Sequence, residues 1–372
     1  MTATRGTAIR ASAMVVALLV GGWLVFSGPA RPAPPAPPGP PQLSLRKAFP
    51  AALVTDSPGA LPDGAPFIPG LYVDATTQVG VAPTPDGTAQ RVVLRTGSRV
   101  RELQRVAQSR FPRFTAFARA GSSVLWVEST ATTTEPLTHR LWRASIDGDS
   151  AAVPLSADTG DAEFLGAEHD LVVHGDRVYW AAATPDGRDT QVRSVPVTGG
   201  AVTVEPVDGA YELSAWPWLQ TAANVRQGGG RHELRNLETG QRVTVVRSPA
   251  ETVDCGPSWC RSSISAGTGG DTSYDVMRPD GTGRRRVGGT GTFAAVPAVA
   301  LLDRFAAVTE AGTSGAFDSA RRLALFDVAT GRLVTVADGV DQVMADDHTL
   351  WWSAGARPAG VWHSLDLATL AA

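Results

Sequence analysis

Lysine is almost missing from this sequence: Lys47 is the only one in 372 residues. Positive charge is therefore carried by arginine, against 36 acidic residues and a formal net charge of −3. Phosphate recognition needs clustered cations, and the one basic cluster, Gly283 to Gly289, follows a Pro-Asp-Gly turn and reads as a solvated strand. Nucleic acid is thus excluded as an expected partner. Cysteine is nearly as scarce, with only Cys255 and Cys260. Two thiols cannot build a four-sulfur zinc site. The six histidines show no H-x-x-x-H or H-E-x-x-H spacing, and His169 and His174 are separated by a strand-like Leu-Val-Val that puts them on opposite faces. No nucleophile elbow, no Gly-Lys-Ser/Thr phosphate loop and no calcium loop is present. No catalytic, cofactor-binding or metal-binding residue, and no cofactor, is expected from local motifs.

Charge is absent over one continuous stretch, Ala11 to Ala30, preceded by Arg5 and Arg10. A membrane helix needs about 20 mostly apolar residues, and basic residues before it favour a cytoplasmic N-terminus. We expect residues 1–10 in the cytoplasm and a transmembrane anchor or signal segment over 11–27. Residues 28–66 read as a Pro-rich linker, since Gly28 to Pro41 suits an extended polyproline spacer. Residues 67–372 form the main domain. It is expected at the cell membrane, outside the cytoplasm, or secreted if the segment is cleaved.

What the sequence has in abundance is glycine and proline, 39 and 27 residues, arranged with a period. Val178 to Gly200 reads as two strands joined by Pro-Asp-Gly and closed by a Gly pair, and Val79 to Ser98 repeats that order. A third Pro-Asp-Gly lies at Pro279 to Gly281. The second turn recurs with Gly97, Gly148, Gly200, Gly240, Gly281 and Gly331, then with Leu370 replacing glycine, at steps of 39 to 52 residues. Trp126, Trp180 and Trp352 run in phase with it, with Ala307 in the tryptophan position of another unit. One tryptophan per unit points to packing between sheets. A strand repeat of this length is the signature of an all-β propeller built from four-stranded blades. Seven turns imply seven blades, or six if the first and last units share one. The last unit stops before its fourth strand, so an N-terminal segment should complete the ring, with Leu43 to Phe49 the expected one.

The Pro-Asp-Gly hairpins and turns such as Leu325 to Gly331 resemble TolB-type propellers. With the anchor, the Pro-rich spacer, "YVDATTQVGVAPTPDGT" and "LSAWPWL", the chain is similar to membrane-anchored TolB-like proteins of actinobacteria. That resemblance implies the propeller and no agreed activity. Cys255 and Cys260 flank four residues containing Gly-Pro-Ser, so they are expected to face each other across a hairpin and form a disulfide. The expected function is a binding or scaffold module for an envelope protein or glycan. Its contacts are expected on inter-strand loops such as Ser129 to Arg140 and Glu310 to Arg321. The alternative is a hydrolase- or lyase-type propeller enzyme, drawing single residues from several blades into the central channel; Asp, His, Arg and Tyr gathered there would mark it.

Overall fold

The computed structural model describes residues 42–167, 169–223, 231–248, 250–264, 273–311, 321–354 and 360–370. The apolar segment 11–27 and most of the Pro-rich spacer lie outside the described residues, as do the Gly-rich stretch 267–272 and most of the loop from Glu310 to Arg321. Among the described residues no helix is long and apolar enough to cross a membrane.

Five four-stranded antiparallel sheets follow one another along the chain, spanning 68–107, 113–156, 172–207, 211–244 and 251–288. Within each, neighbours in sequence are neighbours in the sheet, as short hairpin connections require. Local chemistry sets the turns. At Thr84-Pro85-Asp86-Gly87 the Gly87 N–H donates to the Thr84 carbonyl at 2.8 Å, and Asp86 Oδ1 accepts from the Thr84 hydroxyl and the Thr88 N–H. Thr184 to Gly187 repeats this, and Gly87 and Gly187 take φ of 70° and 67°, which glycine adopts without strain. The other recurrent turn is held by its first side chain. Asp327 Oδ1 accepts from the Ala329 and Thr330 N–H groups, and Asn236 Oδ1 from those of Glu238 and Thr239.

An eight-stranded sheet completes the structure. Its strands Thr292–Ala294, Phe305–Glu310 and Arg321–Asp327 lead to a 14-residue strand, Arg332–Ala345, followed by Thr349–Ala354 and Val361–Asp366. The long strand pairs backward with Arg321–Asp327 through residues 332–340, and forward with Thr349–Ala354 through residues 340–345. Two N-terminal strands join this sheet. Gln42–Ser44 runs parallel to the long strand at Leu333 to Thr335, and Val54–Pro58 pairs antiparallel with Val361–Asp366, from Val54 opposite Leu365 to Pro58 opposite Val361.

The strand that extends the C-terminal unit is therefore Val54–Pro58, not Leu43 to Phe49 as expected. Residues Leu45–Ala48 turn into a short helix instead, which lets Leu45 bury against the long strand's Val334. A straight strand there would leave that apolar side chain on an edge.

Consecutive sheets pack face to face, and the last packs on the first: Trp351 and Trp362 cluster with Tyr72 of the first sheet. The arrangement is a β-propeller. Trp126 and Trp180 each lie in the second strand of their sheet and face the preceding sheet, while Trp352, on Thr349–Ala354, faces the Arg321–Asp327 part of its own eight-stranded sheet. Trp126 meets Leu103 and Leu94, Trp180 meets Leu125 and Leu141, and Trp352 meets Leu323 and Leu325. Ala307 departs from the expected equivalence. It faces the following strands with Trp352, while Ala306 faces the fifth sheet. Three residues separate the bridged pair Leu301 and Phe305, whereas two separate His174 and Arg177, and one extra residue reverses which face each side chain takes.

Candidate functional site

A cavity of about 1140 Å³ opens inside the ring. It is lined by the connection before the third sheet's first strand, by all of Tyr211–Ala215, and by the hairpin Cys255 to Trp259. The connection 297–303 and the turn Asp347-His348 complete the wall. Three four-stranded sheets and two stretches of the eight-stranded sheet thus meet around one space.

Its chemistry is acidic. Among the described residues, Asp161, Glu163, Asp170, Asp189, Glu212, Asp254, Asp303 and Asp347 line it, with one arginine, Arg261, and the imidazoles of His169 and His348. Arg261 is itself committed: it forms an ion pair with Asp254 directly across the hairpin, and its Nη1 donates to the Val296 carbonyl at 3.0 Å. Asp254 Oδ1 also accepts from Gln220 Nε2 at 2.8 Å, while Gln220 Oε1 accepts from the Cys255 N–H at 3.0 Å. This chain of polar contacts ties the fourth, fifth and eight-stranded sheets together at the cavity wall.

Cys255 and Cys260 are disulfide-bonded and stand opposite each other as the pair adjoining Asp254 and Arg261. Both sulfurs belong to buried residues, and Ser214 Oγ donates to the Cys255 carbonyl at 2.6 Å. The disulfide therefore fixes the hairpin that presents Asp254 to the cavity.

Burial and neighbouring charge move the titrations here. Desolvation raises the Asp170 carboxyl to about 6, with Glu212 adding to the rise, although Asp170 Oδ2 accepts from the Gly166 and Ala167 N–H groups at 2.6 and 3.0 Å. Beside the cavity, burial raises Asp346 to about 6 against the pull of the His348 and Thr349 N–H groups, and Asp347 adds to the rise. His169 is pushed down to about 4 by burial, with Asp347 and Asp254 pulling the other way. The imidazole thus feels carboxylates from two other units at once. It is neutral at physiological pH.

The residues named from sequence do not converge as a site. Trp126, Trp180 and Trp352 lie in separate sheets, with the Trp126 Nε1–H on Gln104 Oε1 at 2.7 Å, the Trp180 Nε1–H on the Thr159 carbonyl at 2.9 Å, and Trp352 stacked on His363. His169 lines the cavity while His174 stacks on Trp216. Among the described residues no group of three or more His, Cys, Asp or Glu is arranged to hold a metal ion. Asp170, Glu212 and Asp347 escaped sequence reading because each is one carboxylate in its own unit, with no local motif around it.

No known family profile matches the chain, and no curated protein matches it. Among solved structures it is similar to a puromycin-hydrolyzing peptidase of Mycobacterium tuberculosis, with a TM-score of 0.50 and 17% identity over 82% of this chain and 53% of that one. It is also similar to the β-propeller domain of the Trilobed protease of Pyrococcus furiosus, at a TM-score of 0.42 and 8% identity over 66% of this chain and 78% of that one. An uncharacterized protein of Listeria monocytogenes gives a TM-score of 0.45 and 7% identity, covering 85% and 91%. The likeness is one of fold, and this chain spans about half the length of the mycobacterial peptidase.

Proposed function

We propose that this chain is a seven-bladed, TolB-like propeller tethered outside the cytoplasm by residues 11–27 and the Pro-rich spacer, and that it binds a small organic cation in its central cavity. The blade count is supported by the long strand, whose two halves each fit a four-stranded unit: one with residues 292–327, the other with 349–366 and Val54–Pro58. The binding reading rests on one observation. Among the described residues, eight carboxylates converge on the cavity with one arginine, and that arginine is already paired. Walls of low polarizability focus such a field and concentrate cations, and the volume lies just above the usual range of ligand pockets, about 300–1,000 Å³. This reading departs from the envelope protein or glycan partner expected from sequence and puts a small cation in its place.

The test is calorimetric titration of the full chain with tetramethylammonium and, separately, with acetate. Tetramethylammonium should bind, more weakly at higher salt and more weakly still in Asp347→Asn and Glu212→Gln. Equal binding of acetate, or none of the cation, would sink the reading.

A second reading, proton-transfer catalysis in the same cavity, is favoured by Asp170, which lines it and is held near 6, where a carboxyl can give and take a proton at neutral pH. Turnover of an amine-bearing substrate that disappears in Asp170→Asn would support it.

A further inference from the structure

The geometry points to Leu302 as a ligand-contacting side chain, and hence to a cation carrying an apolar body as the ligand class; this rests on the cavity reading above. Leu302 and Asp303 turn the chain between the strands Thr292–Ala294 and Phe305–Glu310, with the Arg304 N–H on the Leu301 carbonyl at 3.0 Å. Both adopt left-handed backbone, with φ of 52° and 54°. For a leucine this conformation is costly, because its Cβ crowds the backbone.

Two hairpins one residue shorter place glycine at the corresponding first position. The hairpin from Ala120 to Ser123 has Gly121 at φ 59°, and the hairpin from His174 to Arg177 has Gly175 at φ 60°, each the first residue after the closing pair, as Leu302 is. A Cβ at Gly121 or Gly175 would meet nothing within 4 Å. Glycine is used there for its conformation, not for want of space.

Leu302 does not recover its cost in the core. It is 41% exposed, whereas Leu301 beside it is 2% exposed and packs with Phe305 and Trp352. Leu302 is instead among the residues that line the cavity. Leu165, 71% exposed, lines the same space from the third unit. The turn is also pinned: Trp259 Nε1 donates to the Asp303 carbonyl at 3.1 Å, and the Arg278 guanidinium lies 3.7 Å over the Trp259 ring. A strained residue held in place at a cavity and left uncovered is placed to meet what enters. The carboxylates take the charge of that ligand, and Leu302 takes its apolar portion.

The experiment compares tetramethylammonium with benzyltrimethylammonium, which has the same charge and an added apolar ring, on the full chain in non-ionic detergent. The native protein should bind the benzyl compound about tenfold more tightly, the scale expected for covering a leucine-sized apolar surface. Leu302→Gly should erase most of that increment, leave tetramethylammonium binding unchanged and leave Tm unchanged or raised. Leu302→Asn, which tolerates the left-handed conformation, should behave alike. An undiminished increment in both variants overturns the inference, as does a Tm drop of several degrees in both, which would make Leu302 a packing residue. If the native protein binds the two cations equally, the inference fails and the cavity reading stands. If it binds neither, both fail.

Discussion

The indole N–H of Trp362 donates to the Phe67 carbonyl at 2.9 Å, joining residues 295 positions apart. Trp351 does the same to the Pro69 carbonyl at 3.2 Å. The last unit is thus sealed to the first sheet by side chains as well as by the added strand Val54–Pro58. Trp362 is fully buried. Replacing it by Phe leaves a buried carbonyl without its donor and should cost about 1–3 kcal/mol; replacing it by Ala should cost about 3–5 kcal/mol. Urea denaturation gives the comparison, and a midpoint unmoved by Trp362→Ala would refute the sealing role.

The disulfide pins a six-residue hairpin at the cavity wall. Closing so short a loop contributes about 2 kcal/mol in the chain-entropy account. Cys255→Ala with Cys260→Ala should lower stability by that order and weaken tetramethylammonium binding, because Asp254 loses its fixed position. If cation affinity survives while stability falls, the disulfide serves the fold alone.

Asp170 gives a pH dependence of definite sign. Its folded-state value of about 6 lies above the ordinary 3.8. Its favourable contribution is therefore present below about pH 4 and lost as pH climbs through 6. At pH 7.5 the buried carboxylate is a cost, and Asp170→Asn, which keeps an acceptor for Gly166 and Ala167, should be more stable than the native protein by about 1 kcal/mol. That difference should vanish toward pH 4. The native protein's own pH curve is a poorer readout, since His169, lowered to about 4, contributes stability that is lost as pH falls. A variant less stable than the native chain at pH 7.5 would overturn the sign.

The once-per-unit tryptophans should behave as packing residues. Trp180 is fully buried against Leu125 and Leu141, and its N–H is satisfied by Thr159. Trp180→Ala should cost about 3–5 kcal/mol without altering cation affinity. Loss of binding in a stably folded variant would move Trp180 from the core into the site.

Much of the fold was legible because its determinants are local. Pro-Asp-Gly and Asp-x-Thr-Gly carry their own hydrogen bonds within four residues, so the turns and the repeat could be read directly. Cys255 and Cys260 were legible for the same reason. The reading faltered where one residue of register mattered. Leu43 to Phe49 has strand-like apolar spacing, yet Leu45 gains more by turning into the core. Ala307 matches the tryptophan position by its distance from Asp303-Arg304, yet the longer turn reverses its face.

The sequence by itself determined that units of one kind repeat and where each turns. Only the tertiary structure decided which strand extends the last unit, and only it brought Asp170, Glu212, Asp254 and Asp347 around one space. The physical reason is separation along the chain. A turn is held by neighbours within four residues, whereas the cavity is made of single carboxylates from different units. Their proximity exists only once the sheets have packed in series and the last has met the first.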